Sequence, residues 1–257
     1  MRYARHIALA EVGESGQQKL MNAKVLVIGA GGLGCPALQY LVAAGVGTVG
    51  IVDGDVVNET NLQRQVLYAD SDIGKLKVQV AGERLKNLNS QIEINTFSEF
   101  LTAANAMDIV ANYDLLVDAT DNFAARYRIN DVCVKLDKPF VYGAIHRFEG
   151  QVSVFNYKGG PTYRCLFPDK PGENQIPNCN ETGVLGVLPG IIGTYQATEV
   201  LKIILGIGEV LSGKLMTFNL LTNSTRTFEF SRNDEPAQKA KEKGVSTPKN
   251  IHYDQRT

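Results

Sequence analysis

The 257-residue chain has no tryptophan, three histidines, four cysteines and no excess of charge of either sign. Its 26 Lys plus Arg balance 27 Asp plus Glu, a formal net charge of −1. A dedicated nucleic-acid binder usually carries a strong basic surplus, so that class is disfavoured, although a local basic site is still allowed. No apolar run approaches the roughly 18–20 residues that a bilayer-crossing helix needs. Met1 to Ala10 carries Arg2, Arg5 and His6 but no apolar segment of signal-peptide type, so a cytoplasmic protein is expected. Cys35, Cys133, Cys165 and Cys179 are too few for a disulfide framework in a chain of this length. His6, His146 and His252 are scattered and suggest no Ser-His-Asp arrangement. What remains is an ordinary globular balance, 44% hydrophobic and 21% charged, long enough to bury one sizeable core. Glycine is plentiful, 25 residues against a usual ~7%, which directs attention to glycine-built loops.

The hydrophobic pattern alternates between short buried strands and helices. A helix is expected over Ala4 to Met21, weakened by Gly13 and Gly16. Strands are expected at Lys24 to Ile28, Val49 to Val52, Ile92 to Phe97, Leu115 to Ala119 and Pro139 to Ala144. The helices between them are read at Leu33 to Ala44, Lys75 to Asn87, Thr102 to Ala111 and Asn122 to Leu136. Four consecutive apolar residues in KVLVI indicate a strand covered on both faces. This order predicts an α/β fold, a Rossmann-like, doubly wound and mostly parallel sheet. After Gly150 the pattern changes. Gln151 to Asn156 alternates like an antiparallel strand, 157–189 is rich in proline and glycine, and Gly190 to Leu205 is a helix. Lys214 to Asn219 and Thr225 to Phe230 form a hairpin, so antiparallel strands extend the sheet at its C-terminal side. Residues 231–257 are polar and charged and read as a flexible tail.

Gly29-Ala30-Gly31-Gly32-Leu33-Gly34 is a G-x-G-x-x-G loop between a predicted strand and a predicted helix. Its glycines allow a pyrophosphate to approach the backbone, and the helix N-terminus offers free N–H groups. Asp53, at the end of the next strand, can accept hydrogen bonds from ribose hydroxyls. These two features alone read as "nucleotide", and an NAD-dependent oxidoreductase is the obvious candidate. The stretch Asp53 to Gln65 is polar and amide-rich, with Asp55, Asn61, Arg64 and Gln65, and Lys77 follows. Two cations near the ribose site suit a triphosphate better than a nicotinamide cofactor. Asp121 and Asn122 follow another strand end, where α/β sheets bind ligands. Asp121 could hold Mg²⁺ on the phosphates, Asp118 reads equally well as structural, and Asn122 can cap the next helix.

These stretches resemble the ThiF/MoeB/HesA family, the ubiquitin-activating-enzyme-like adenylyltransferases. The likeness is carried by RYARHI (from Arg2), GAGGLGCP (from Gly29), VDGDVVNETNLQRQ (from Val52), DIGKLKV (from Asp72), DATDN (from Asp118), YRCLFP (from Tyr163) and the block from Asn178 to Lys202. It runs from about Arg2 to about Phe230, one adenylyltransferase domain over 1–230, with a nucleotide half (24–145) and a carrier-binding half (146–230). The resemblance implies that ATP and Mg²⁺ are used to adenylylate the C-terminal Gly-Gly of a ubiquitin-like sulfur carrier, for molybdopterin or thiamine biosynthesis. It implies a nucleotide loop containing Gly29, Gly31, Gly32 and Gly34, a ribose contact at Asp53, and phosphate contacts from Asn61, Arg64, Gln65 and Lys77, with Asp55 and Asn122 nearby. Asp121 would be the magnesium carboxylate, and Arg5 would reach the phosphates across a homodimer interface. A persulfide donor, a cysteine desulfurase or a rhodanese, would follow. The GVLGVLPGIIGT stretch looks more like the molybdopterin branch. A tRNA-borne carboxylate, an NAD enzyme or a non-catalytic scaffold are the competing readings; no nucleic-acid or membrane partner is expected.

Family members often carry a zinc held by two C-x-x-C pairs. Here Thr162 stands where the first cysteine of a pair with Cys165 would be, and Ser231 to Pro236 contains no cysteine. One thiolate cannot build a four-ligand site, so no zinc is expected. Cys179 matches a cysteine that, in thiamine-pathway relatives, forms a covalent link to the carrier; a bystander role is the alternative. Cys35 and Cys133 read as small core residues. Arg126 and Arg128 read either as surface ion-pair residues or as lining for the carrier's tail.

Overall fold

The computed structural model describes residues 2–170 and 183–233. One eight-stranded sheet organises the chain, in the order β3-β2-β1-β4-β5-β6-β7-β8. Its first five strands are β1 (Lys24–Ile28), β2 (Thr48–Val52), β3 (Glu93–Phe97), β4 (Leu115–Asp118) and β5 (Phe140–His146). All pair in parallel. Then β6 (Glu149–Phe155), β7 (Lys214–Asn219) and β8 (Ser224–Glu229) continue it antiparallel. The expected fold class is therefore the observed one.

Alternation along each strand sorts the core into two layers. Val25, Val27, Leu115, Val117 and Val141 point to one face, against helices α2 (Gly13–Asn22), α3 (Gly34–Ala44), α4 (Lys77–Leu88) and the long α8 (Val187–Leu205). Leu26, Ile28, Leu116, Phe140 and Tyr142 point to the other, which is covered by α5 (Ala106–Ala111), α6 (Phe123–Lys135) and the single turn α7 (Tyr163–Leu166). Strands buried on both faces carry continuous apolar sequence, which is why KVLVI and LLV were legible.

Four expectations need correction. The helix expected over 4–21 is two, α1 (Ala4–Ile7) and α2, because Gly13 adopts φ +56° and the chain turns between them. The α4 helix begins at Lys77, not Lys75, because the chain first pairs with the loop after β2: Val57 N–H donates to the Lys75 carbonyl and Lys77 N–H to that of Asp55. The α5 helix begins at Ala106, because Thr102 and Asn105 close a reciprocal side-chain turn ahead of it. Within 157–189, read as mostly loop, α7 forms under a Thr162 cap, and α8 starts at Val187.

The α8 helix packs across the middle of the sheet, on β4, β5 and β6. Buried Gln196 donates from Nε2 to the carbonyls of Asp118 and Val141, at 2.7 and 3.3 Å, on two adjacent strands. Gly143 leaves room for it, since a Cβ there would lie 2.5 Å from the Gln196 amide carbon. Replacing Gln196 with alanine opens a cavity and strands two carbonyls. It should cost about 2–4 kcal/mol, read as a lower urea midpoint; an unchanged midpoint would contradict this role.

Candidate functional site

The sheet order reverses at β1, whose neighbours β2 and β4 lead away in opposite directions, and a crevice opens beyond their C-terminal ends. The glycine loop fits there through two close approaches. Gly29, at φ +100°, would place a Cβ 2.6 Å from the Ala119 carbonyl oxygen, and a Cβ on Gly34 would lie 1.9 Å from that of Gly29. The first keeps the ends of β1 and β4 together. The second lets α3 start directly on the loop, with its N-terminal backbone groups facing the crevice.

The crevice is a cleft of about 990 Å³, within the usual size of a small-molecule site. Gly29, Gly31, Gly32, Asp53, Asp55, Asn61, Arg64, Gln65, Lys77, Asp121 and Asn122 all line it. Gly34 does not line it; its role is the packing just described. Arg5 does not line it either. It is exposed on α1, whose neighbour Tyr3 lies against Gly45 at the ends where the strands begin. Within one chain Arg5 is thus on the wrong side of the sheet for this cleft. Cys179 and the tail from residue 234 lie outside the described residues.

Asp53 is buried and anchors the loop. Its Oδ2 accepts from Ala30 N–H at 2.7 Å and its Oδ1 from Asp55 N–H at 2.8 Å. Burial pushes its carboxyl upward, partly offset by the Asp55 N–H and the Lys77 ammonium. Lys77 is buried, with Nζ 3.1 Å from the exposed Asp55 carboxylate, so a charged donor is held at the cleft wall. Arg64 donates to the Thr60 carbonyl at 3.0 Å. Asn61 accepts from Asn58 N–H at 3.3 Å within a 3₁₀ turn. Gln65 is buried at the cleft wall, and among the described residues its Oε1 has no hydrogen-bond partner. Cys35, one turn below the loop, is buried and pushed up to about 12, an inert thiol.

Across the cleft, Asn122 caps α6 by accepting from Ala125 N–H at 2.9 Å, as its sequence position suggested. Asp118 is fully buried, with Oδ1 accepting from the N–H and hydroxyl of Thr120. Asp121 is exposed, and among the described residues it makes no hydrogen bond or ion pair. A single free carboxylate beside a polyphosphate site suits Mg²⁺, which typically takes one or two protein carboxylates plus phosphate oxygens. Arg126 is not a surface residue: it is buried beneath this loop, and it is among the residues that line the cleft. Arg128 donates to the Leu101 carbonyl at 2.6 Å and lines the cleft.

Some lining residues carried no sequence signal. Phe100, 60% exposed, lies over Gly54, where a Cβ would come within 2.9 Å of its ring. It gives the Asp53 side of the cleft an aromatic face. His146, Gly183 and Val184 form a lip supplied by the second half of the chain, where Val184 bridges Arg147. Sequence distance concealed both.

At the far end of the second half, Cys165 Sγ lies 3.3 Å from the Thr162 hydroxyl and 3.3 Å from the backbone N and O of Asn233. Asn233, in the segment where the resemblance would place a second cysteine pair, thus lies against Cys165. No group of three or more His, Cys, Asp or Glu suited to a metal occurs among the described residues. No helix among them is long and apolar enough to cross a membrane.

Comparison with known proteins agrees with this geometry. The chain is 48% identical over 250 residues to the sulfur carrier protein adenylyltransferase of Thermus thermophilus, covering 93% of this chain and 92% of that protein. It is 52% identical over 228 residues to the adenylyltransferase and sulfurtransferase MOCS3 of Culex quinquefasciatus, covering 89% of this chain but only 52% of that longer protein. Among solved structures it resembles E. coli MccB with ATP, at TM-score 0.78 and 22% identity over 91% of this chain and 72% of that one, a likeness of fold. The description "ThiF family" matches residues 3–240, nearly the whole chain, and the chain belongs to that family.

Proposed function

We propose that this protein uses ATP to adenylylate the C-terminal glycine of a ubiquitin-like sulfur carrier. The observation that carries the reading is the convergence of the glycine loop, Asp53, Arg64, Lys77 and Asp121 on one cleft at the strand-order reversal. The names of the relatives from Thermus and Culex support it.

The chemistry asks little covalent work of the protein. A carboxylate oxygen of the carrier's last glycine attacks the α-phosphorus. The bond from that phosphorus to the oxygen bridging to the β-phosphate breaks, and pyrophosphate leaves with the electron pair. The carboxylate is already a nucleophile, so no general base is required. Catalysis is then positioning and charge neutralisation. Asp53 takes the ribose and Phe100 offers a face for the base. Gly29, Gly31 and Gly32 let the phosphates approach the backbone, and Arg64 and Lys77 face them with Asn61 and Gln65. Asp121 would hold Mg²⁺, which neutralises phosphate charge when bound.

Arg5 acts in this scheme only from a second copy, which makes a homodimer part of the proposal. The half from residue 146 carries the carrier-binding role, and a persulfide donor, a cysteine desulfurase or a rhodanese, completes sulfur transfer afterwards. The product serves molybdopterin or thiamine biosynthesis in the cytoplasm. Cys179 is the candidate thiol for that later step. No structural zinc is proposed: Cys165 is engaged by Thr162 and Asn233.

Three outcomes follow. Asp121→Ala, at an exposed position, should leave the urea midpoint unchanged. It should lower formation of adenylylated carrier, followed by mass spectrometry, by at least roughly 100-fold; near-wild-type formation would remove Asp121 from the site. Arg5→Ala should be comparably impaired, and mixing it with Asp121→Ala should restore activity through dimers holding one intact site; no recovery despite demonstrated subunit exchange would remove Arg5 from a shared site. Metal analysis of purified protein should find far less than one zinc per chain, and a stoichiometric content would contradict the proposed absence.

A further inference from the structure

Asp121 is exposed and makes no hydrogen bond or ion pair among the described residues, so its position depends on the backbone that carries it. The residue before it, Thr120, is held at three points. Its N–H and its hydroxyl donate to Asp118 Oδ1, at 3.0 and 2.6 Å. Its carbonyl accepts from Arg126 Nη2 at 3.2 Å. One residue earlier, Ala119 N–H donates to the Ile28 carbonyl of β1, and two residues later Asn122 caps α6. Arg126 is the cationic member of this set. It rises from the first turns of α6, is 7% exposed, and is stacked 5.2 Å from the Phe123 ring centre and 5.4 Å from that of Tyr142.

A guanidinium in that position is costly to bury unless it does something there. Among the described residues it makes no ion pair with Asp118, and its Nε has no hydrogen-bond partner. Asp118 Oδ2, buried in the same region, also lacks a partner among the described residues, while the Tyr163 hydroxyl lies close enough to the guanidinium to interact with it. Burial raises the Asp118 carboxyl, and the charge of Arg126 pulls it back down. The charge thus acts on Asp118 without an ion pair, and the Nη2 hydrogen bond goes to the carbonyl next to Asp121. A planar fork wedged between two rings sets the height of that carbonyl, where a flexible ammonium would not.

We propose that Arg126 is a positioning residue that fixes the Asp118–Asp121 turn, so that the Asp121 carboxylate meets Mg²⁺ on the bound nucleotide. This rests on the proposed reading of the cleft. It predicts that Arg126 matters to the metal-dependent part of ATP binding and not to the part made by the glycine loop and Asp53.

The test is calorimetric binding of ATP to the intact protein, with Mg²⁺ and with EDTA. Arg126→Lys should bind metal-free ATP as the wild type does, while the strengthening given by Mg²⁺ falls at least about tenfold, as it does in Asp121→Ala. Since a buried substitution can fail to fold, the charge-balanced pair Asp118→Asn with Arg126→Met removes the guanidinium without leaving a lone buried carboxylate. It should show the same selective loss. Equal weakening with and without Mg²⁺, or a folded variant with the wild-type magnesium effect, would overturn the proposal. A wild-type protein that binds ATP with Mg²⁺ but adenylylates no carrier would defeat the functional reading, and the Arg126 comparison would still be decided by the binding data.

Discussion

The structure depends on one close approach, where the end of β1 meets the end of β4. Gly29 lies against the Ala119 carbonyl and Gly34 against the Gly29 carbonyl, at separations that admit no Cβ. That contact does three things at once. It places the start of α3 on the glycine loop, it puts the sheet's strand reversal beside the loop, and it brings the turn carrying Asp121 across from Lys77 and Arg64. The glycine loop and the Asp121 turn take their positions from this junction, and other pairings bring in the remaining polar groups. Asp53 bonds Ala30 from β2, and Lys77 is brought in by the short pairing of the chain around Lys75 with the loop after β2. The cleft is thus a consequence of packing at a parallel sheet's carboxyl edge, with charged side chains added by the loops.

The second half of the chain extends the first rather than standing apart from it. Strands β6, β7 and β8 continue the sheet, and α8 lies across the face that α2 and α3 also cover. Gln196 makes this continuity specific by bonding the carbonyls of Asp118 and Val141. The same carbonyl edge is gripped on its other side by Arg126, through Thr120. The turn before Asp121 is therefore held from both layers of helices, which suits a carboxylate that must be placed without touching any protein partner of its own.

What could be read in advance was local. KVLVI, the glycine loop, the alternation in β6 and the hairpin of β7 and β8 follow from chemistry within a few residues, and each appeared where expected. Asp53 and Asp121 were marked by their places after strands, Arg64 and Lys77 as cations past the ribose site, and all four line the cleft. What could not be read depended on distant parts of the chain meeting. The burial of Arg126 is decided by Tyr142 and Phe123 closing over it, where the sequence alone left surface ion pairs and the lining of a channel equally open. Phe100 is an ordinary exposed aromatic until Gly54 is seen beneath it. The folding of 231–233 onto Cys165 turns an apparent leftover cysteine into the anchor for the chain's exit from the sheet. The break in the first helix was hinted at by Gly13, but only its positive φ decided the matter.

The central claim is that this cleft activates the terminal glycine of a carrier protein at the α-phosphate of ATP. It is tested most directly by ATP–pyrophosphate exchange with each sulfur carrier of the same cell, intact and with the last glycine deleted. The account predicts exchange with at least one intact carrier and none with its shortened form. ATP binding without exchange for any intact carrier, or exchange that is indifferent to the missing glycine, would contradict it.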